Sequence, residues 1–404
     1  MIKPKLALIP SGYKGGDGEG TVYSILPNDA SGDFDYERNG NATRVRKDGL
    51  IEELTVDDTP RLDWLNSNCP SLLLEPQRTN DTTYSQDFTQ TSYWNNVIDV
   101  VATKDEAIAP DGTFTANKIQ ANSGTNFKIL RKGAFTIPSG ITMSMFVKRG
   151  NHDYIIFKAQ GDYSFNLSTL TWGGSYSNVG YEDYGNGWIR LYATTTSSVL
   201  SYFGIYLTDS SFNQSWNATG NEFVYVWGGQ YETGSYPTSY IKTEASTVTR
   251  LKDDCHLLNH TLFTDYPFTV YANAKVEDVG NTIFSIYGGA SNKYLAFLLS
   301  SSTQVAVYRR DATNNDSDFY NFTYSIGDNI KVAVAFINDN TYKLYINGTE
   351  IADVTSGLSI PFDHDDILIG QFRISGDDGK RNSVDDFRVY DYTLTDAELT
   401  ELTK

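Results

Sequence analysis

The run Ile330-Lys331-Val332-Ala333-Val334-Ala335-Phe336-Ile337 decides the fold class. It is short, dense in apolar residues and too brief for a typical buried helix. Downstream, Tyr342, Leu344 and Ile346 alternate with Lys343 and Tyr345, and Asn347-Gly348 then leads into Thr349-Glu350-Ile351-Ala352-Asp353-Val354. An Asn-Gly pair between two alternating runs is a strong hairpin signal, because both central positions of a type I′ turn need positive φ. Working outward, strand-like runs fall at 142–148, 154–158, 188–194, 203–207, 223–227, 268–274 and 282–287, with Gly, Asn, Asp and Ser between them. Many short strands with frequent turn signals predict β-sandwiches or barrels.

One helix is predicted, in the last element. Thr395-Asp396-Ala397-Glu398 has the form of a capping box, and Leu394 and Leu399 occupy the positions of a hydrophobic staple. No tandem repeat or sustained heptad pattern appears. The chain divides into 1–79, which mixes strands with glycine-rich loops, and two strand-rich blocks at 80–250 and 251–404. The expected fold is all-β: a small N-terminal attachment region followed by two β-sandwich (jelly-roll) domains.

Composition narrows the function. The 404 residues carry a net charge of −18, and aromatic residues make up 14%, including 28 Tyr. Nucleic-acid binding needs clustered Lys and Arg, and adhesion to anionic lipid needs the same, so neither is expected. No apolar run approaches the roughly 18–20 residues needed to span a bilayer, so no membrane insertion is expected. The start, with Lys3, Pro4, Lys5 and Pro10 around a very short apolar run, predicts no secretory signal. Cys69 and Cys255 read as two free thiols.

Few residues carry recognisable catalytic chemistry. The glycines between Gly12 and Gly20 lack the Lys-Ser/Thr of a phosphate-binding loop, and no Gly-x-Ser-x-Gly elbow occurs. Cys255, His256 and His260 have zinc-like spacing without the His-Glu-x-x-His pattern, and a metal site there is not expected. Asp33, Asp35 and Glu37 would share one face of an extended strand, as the acid pair of a glycosidase requires, but a solvated strand face is the default. No catalytic residue and no obligatory cofactor is therefore assigned. The acidic stretches around 363–366, 377–378 and 385–386 could supply oxygen ligands for Ca²⁺, with Asp365, Asp377 and Asp378 as candidates. Most tyrosines must fill cores. Tyr287, Tyr294, Tyr308 and Tyr320 are the candidates for exposed sugar contacts, since an aromatic ring offers an apolar face and a polar edge.

Several strings resemble known proteins. Ala42-Thr43-Arg44-Val45, Pro60-Arg61-Leu62-Asp63-Trp64 and especially Leu72-Leu73-Leu74-Glu75-Pro76-Gln77-Arg78-Thr79-Asn80 resemble a region recurrent in structural proteins of tailed bacteriophages. Gly185-Asn186-Gly187-Trp188-Ile189-Arg190 and the stretch from Trp227 to Ile241 look like a jelly-roll module similar to carbohydrate-binding modules. The Asn347-Gly348 hairpin with the stretch from Val384 to Leu399 resembles concanavalin A-like or laminin G-like domains. The resemblance implies a non-enzymatic virion component, a tail fibre, head fibre or decoration protein. It would be made in the bacterial cytoplasm, assemble as a homotrimer with other virion proteins, and contact host-surface glycans. The alternatives are a concanavalin A-like glycan hydrolase or depolymerase, and a purely structural part without ligand.

Overall fold

The computed structural model describes residues 6–8, 34–65, 67–258, 265–288, 293–311, 315–355, 359–360, 366–372 and 380–404. The chain forms two compact units, each a sandwich of antiparallel sheets. The N-terminal region expected at 1–79 divides between the two units. Among the described residues, those of 6–40 and 56–77 group with those of 251–404, whereas 41–55 join 78–250. The physical reason is pairing: short strands such as Ser71–Leu74 and Asp35–Glu37 cannot bury a core alone, and they complete the edges of sheets built by the later block.

In the unit that contains 251–404, the described strands make two sheets. One runs in the order Thr349–Val354, Thr341–Ile346, Asn329–Asn338, Phe268–Lys275, Asn382–Tyr390, Ser71–Leu74 and Leu62–Asp63, with Leu6–Leu8 also pairing to Asn382–Tyr390. The other runs Asp35–Glu37, Asp254–Leu257, Asp366–Ile369, Asn281–Gly288, Lys293–Ser301, Gln304–Arg310 and Asn315–Asn321. Val332, Val334 and Phe336 of the opening run point into the core with Phe284, Phe297, Val305 and Phe387. Asn347 (φ 47°) and Gly348 (φ 79°) make the expected turn between Thr341–Ile346 and Thr349–Val354.

The helix Asp396–Thr403 has the predicted capping box at Thr395 and Glu398. Its staple residues Leu394 and Leu399 are buried with Tyr271, Ala333, Ala335, Tyr345 and Tyr390. The helix therefore covers the outer face of the first sheet, and the side chains of Ala333 and Ala335 leave room for it.

The second unit packs a sheet ordered Val179–Asp183, Trp188–Thr194, Ile141–Arg149, Phe223–Thr233, Ala116–Ala121, Val100–Ala107 against one ordered Thr171–Trp172, Asp162–Asn166, Tyr154–Lys158, Val199–Leu207, Gly124–Ile137, Ser215–Ala218. Met143, Met145, Val147, Phe157, Phe203 and Trp94 lie in its core. Its familiar strings owe much of their polarity to internal bonding. Arg190 Nη1 donates to Thr238 O at 2.6 Å, Gln230 Oε1 accepts from Ile241 N at 2.8 Å, and Glu232 accepts from Thr238 N at 2.9 Å. All these side chains are buried, so they pin the 234–241 loop rather than face a ligand.

Candidate functional site: an aromatic and charged sheet face

The site lies on the outer face of the sheet that includes Asn281–Gly288 and Gln304–Arg310. Side chains alternate across a strand, so the residues between the core positions share this face. Tyr287 lies opposite Tyr294 in register, and Tyr308 lies opposite Ala296. Phe319, opposite Ala306, continues the row and is 50% exposed. Phe372 closes over it: its ring centroid is 4.4 Å from that of Tyr294 and 5.9 Å from that of Tyr308, and Tyr308 is 5.9 Å from Phe319. Leu368 is packed with Tyr287 and Tyr294 beneath this row.

At the other end of the same face sits a charged group. His256 and Asp254 flank the core-facing Cys255 on the strand Asp254–Leu257, and Asp35 and Glu37 flank the core-facing Tyr36 on the neighbouring strand. His256 Nδ1 donates to Asp254 Oδ1 at 2.9 Å, and Glu37 Oε1 is 3.9 Å from His256 Nε2. Lys252 Nζ is 3.2 Å from Asp254 Oδ2, and Gln371 Nε2 also donates to Asp254. The hydrogen bond to Asp254 lifts His256 above its ordinary 6.5. Burial pushes the Asp254 carboxyl up, but bonds from His256 and Gln371 and the charge of Lys252 hold it below 3.8. Ser285 Oγ donates to Gln371 O at 3.1 Å, which fixes both Gln371 toward the charged group and Phe372 toward the aromatic row.

Two of the sugar-contact candidates are less exposed than expected, and one faces the wrong way. Tyr287 and Tyr294 are 7% and 6% exposed because Leu368 and Phe372 pack on them. Tyr308 is half-buried at the centre of the row. Tyr320 is a correction: it pairs with core-facing Val305, packs on the core, and shares a 2.5 Å hydrogen bond with Tyr342. Its neighbour Phe319 takes the outer position. Phe372 was missed because its loop carries no strand period. The alternation of Ser317 and Phe319 was the available signal for Phe319, and the register was needed to read it.

The calcium candidates Asp365, Asp377 and Asp378 lie outside the described residues, as do Asp33 and His260. Among the described residues, no group of three His, Cys, Asp or Glu side chains is placed to hold a metal ion. His256 sits on a strand, where a spacing of four does not place side chains as it does on a helix. Cys69 is exposed and Cys255 buried, both as free thiols. Among the described residues, no helix is long and apolar enough to cross a membrane.

Elsewhere the second unit has a cleft of about 400 Å³ beside Thr43, Glu53, Tyr240, Lys242 and Glu244. Tyr240 is buried there, so it offers no open ring face.

Residues 251–400 match Laminin_G_3, the concanavalin A-like lectin/glucanases superfamily. No curated protein sequence matches the chain. Among solved structures, the Ruminococcus gnavus IT-sialidase CBM40 bound to alpha2,3 sialyllactose is 19% identical, with 35% of this chain and 84% of that one covered and a TM-score of 0.31. Domain 4 of AbnA, a GH43 extracellular arabinanase from Geobacillus stearothermophilus, in complex with arabinotriose, is 15% identical over 43% of this chain and 84% of that one, with a TM-score of 0.32. The native heptameric SAP-like pentraxin of Limulus polyphemus is 16% identical over 35% of this chain and 70% of that one, with a TM-score of 0.29.

Proposed function

We propose that this protein binds glycans through the outer face that carries Tyr308, Phe319 and Phe372, without cleaving them. The observation that carries the reading is the aromatic row ending at a charged group on one sheet face. Sugar rings have apolar C–H faces that lie against aromatic rings, and equatorial hydroxyls that bond to charged and amide side chains. The match of 251–400 to a superfamily of lectins and glucanases supports this ligand class.

The hydrolase alternative is less well supported. A glycosidase needs one carboxyl kept protonated, usually by burial, opposite a second that stays ionised. Asp254 is instead held ionised by its partners. Cleavage of host polysaccharide that is lost in Glu37→Gln would favour the hydrolase over simple adhesion.

We further propose that the protein is a displayed component of a phage particle, a fibre or decoration protein that adheres to the host surface. The resemblance of 72–80 to virion proteins supports that reading, together with the trimer it implies. The test of the binding role is a glycan array probed with the full chain and with Phe319→Ala. Binding to bacterial surface polysaccharide, reduced about tenfold in the variant (~1.4 kcal/mol), is the expected result. Unchanged binding in the variant would sink the assignment to this face. Electron microscopy of particles that lack the protein tests the virion role, and missing density is the expected outcome.

A further inference from the structure

The outer side of the other sheet in the same unit holds a cleft that the aromatic face does not involve. Its volume is about 350 Å³, near the lower end for small-molecule sites and suited to a single sugar ring. Asp63, Ser71, Lys275, Glu277, Arg381 and Asp385 line it, and among the described lining residues no aromatic side chain occurs.

A β-bulge builds the cleft. Asn273 pairs with Asp386 and Ala274 with Val384, so Asp385 is the extra residue in its strand. A bulge re-aims the inserted side chain. Asp385 thereby reaches Ser71, whose hydroxyl donates to it at 2.5 Å. The two bases are already committed to Glu277: Lys275 Nζ is 3.4 Å and Arg381 Nε 3.5 Å from its carboxylate, which also accepts from Ser383 at 2.8 Å. Glu277 and Arg381 are each more than nine-tenths buried, which makes this a built polar floor rather than a chance surface cluster. Asp385 differs. An ionised carboxylate offers about four acceptor sites, and Ser71 takes one of them. Burial also raises the Asp385 carboxyl above its ordinary 3.8, which marks a group that gains from further donors.

We infer that this cleft is a second saccharide site, which takes one polyhydroxylated ring edge-on, with Asp385 accepting from its hydroxyls. Vicinal hydroxyls both donate and accept, so one ring can donate to Asp385 while it accepts from Lys275, whose ammonium has three donors and turns one of them to Glu277. With no ring face to stack on, the cleft selects by hydroxyl pattern. This goes beyond the aromatic face and stands whether or not that face binds glycan.

The test is saturation-transfer NMR on the full chain with the methyl glycosides of glucose, galactose, mannose and N-acetylglucosamine. At least one is expected to show transfer. Its affinity should fall about tenfold or more in Asp385→Asn, the loss of a charge-assisted hydrogen bond, and in Ser71→Ala, which removes the bond that aims Asp385 into the cleft. Tyr308→Ala, on the opposite sheet, separates the two sites: transfer that survives it and falls in Asp385→Asn belongs to the cleft. Circular dichroism confirms that each variant folds, and Ser71→Ala carries the test if Asp385→Asn does not. Transfer from none of the four sugars, or transfer unchanged in folded Asp385→Asn or Ser71→Ala, would overturn the assignment. Transfer lost only in Tyr308→Ala would overturn it while leaving the aromatic-face reading intact.

Discussion

The phenolic hydroxyl of Tyr36 donates to Asp253 Oδ1 at 2.5 Å, which joins positions 217 residues apart in the chain. Asp253 is the hub of a fully buried polar cluster. It pairs with Arg61, lies 3.3 Å from Arg38 Nη1, and its Oδ2 accepts from the backbone N–H of Glu75 at 2.9 Å. Arg61 Nη1 also meets Glu75 Oε2 at 2.7 Å. Burial opposes the charge on Arg61, yet Asp253 and Glu75 hold its pKa well above the ordinary value. Arg61 and Glu75 thus act as structural anchors: they fasten the early segments to the start of the later block.

Removing the hub should be costly. Asp253→Asn leaves two buried guanidinium groups short of a carboxylate, and loss of one partner of a buried ion pair costs about 3–5 kcal/mol. Chemical denaturation should show that loss. A change below about 1 kcal/mol would mean the cluster is not bonded as described.

Asn80 plays a comparable part in the second unit. It donates to Gly229 O at 3.2 Å and Ile241 O at 2.8 Å, and accepts from the N–H groups of Thr82 and Tyr231, each at 3.0 Å. Asn80→Ala strands these buried backbone groups, and about 2–4 kcal/mol of destabilisation is expected. Thermal melting that separates the two units would assign the loss to this one.

Gly348 tests the hairpin. Its φ is 79°, and an added Cβ would lie 3.1 Å from Lys404 Cγ. Gly348→Ala should cost about 1–2 kcal/mol from the left-handed conformation alone. A neutral outcome in urea titration would argue against this turn.

His256 and His152 should titrate apart. His256 is raised by its bond to Asp254, whereas burial lowers His152, whose Nε2 bonds Thr208 O at 2.9 Å. NMR titration should place one midpoint above 6.5 and the other below it, and Asp254→Asn should bring the His256 midpoint down. The raised His256 contributes stability that is fully present below pH 6.5 and lost as pH rises through its folded value. The lowered Asp254 contributes stability present above pH 3.8 and lost as pH falls through its own folded value. The pair therefore supports the fold most between those limits. Coincident histidine midpoints would contradict the arrangement.

The sequence by itself determined the local elements: strands from the period of two, the Asn347-Gly348 turn from its need for positive φ, and the last helix from its capping box and staple. These signals are local, so nothing distant could erase them. The tertiary structure alone decided which strands share a sheet and which face is outward. Alternation defines two faces of a strand but does not say which one meets the core, and Tyr320 and Phe319 exchange roles on that choice. A bulge turned Asp385 into a cleft, and residues 1–79 were shared between two sandwiches, because strand pairing joins segments whose sequences carry no mark of their partners.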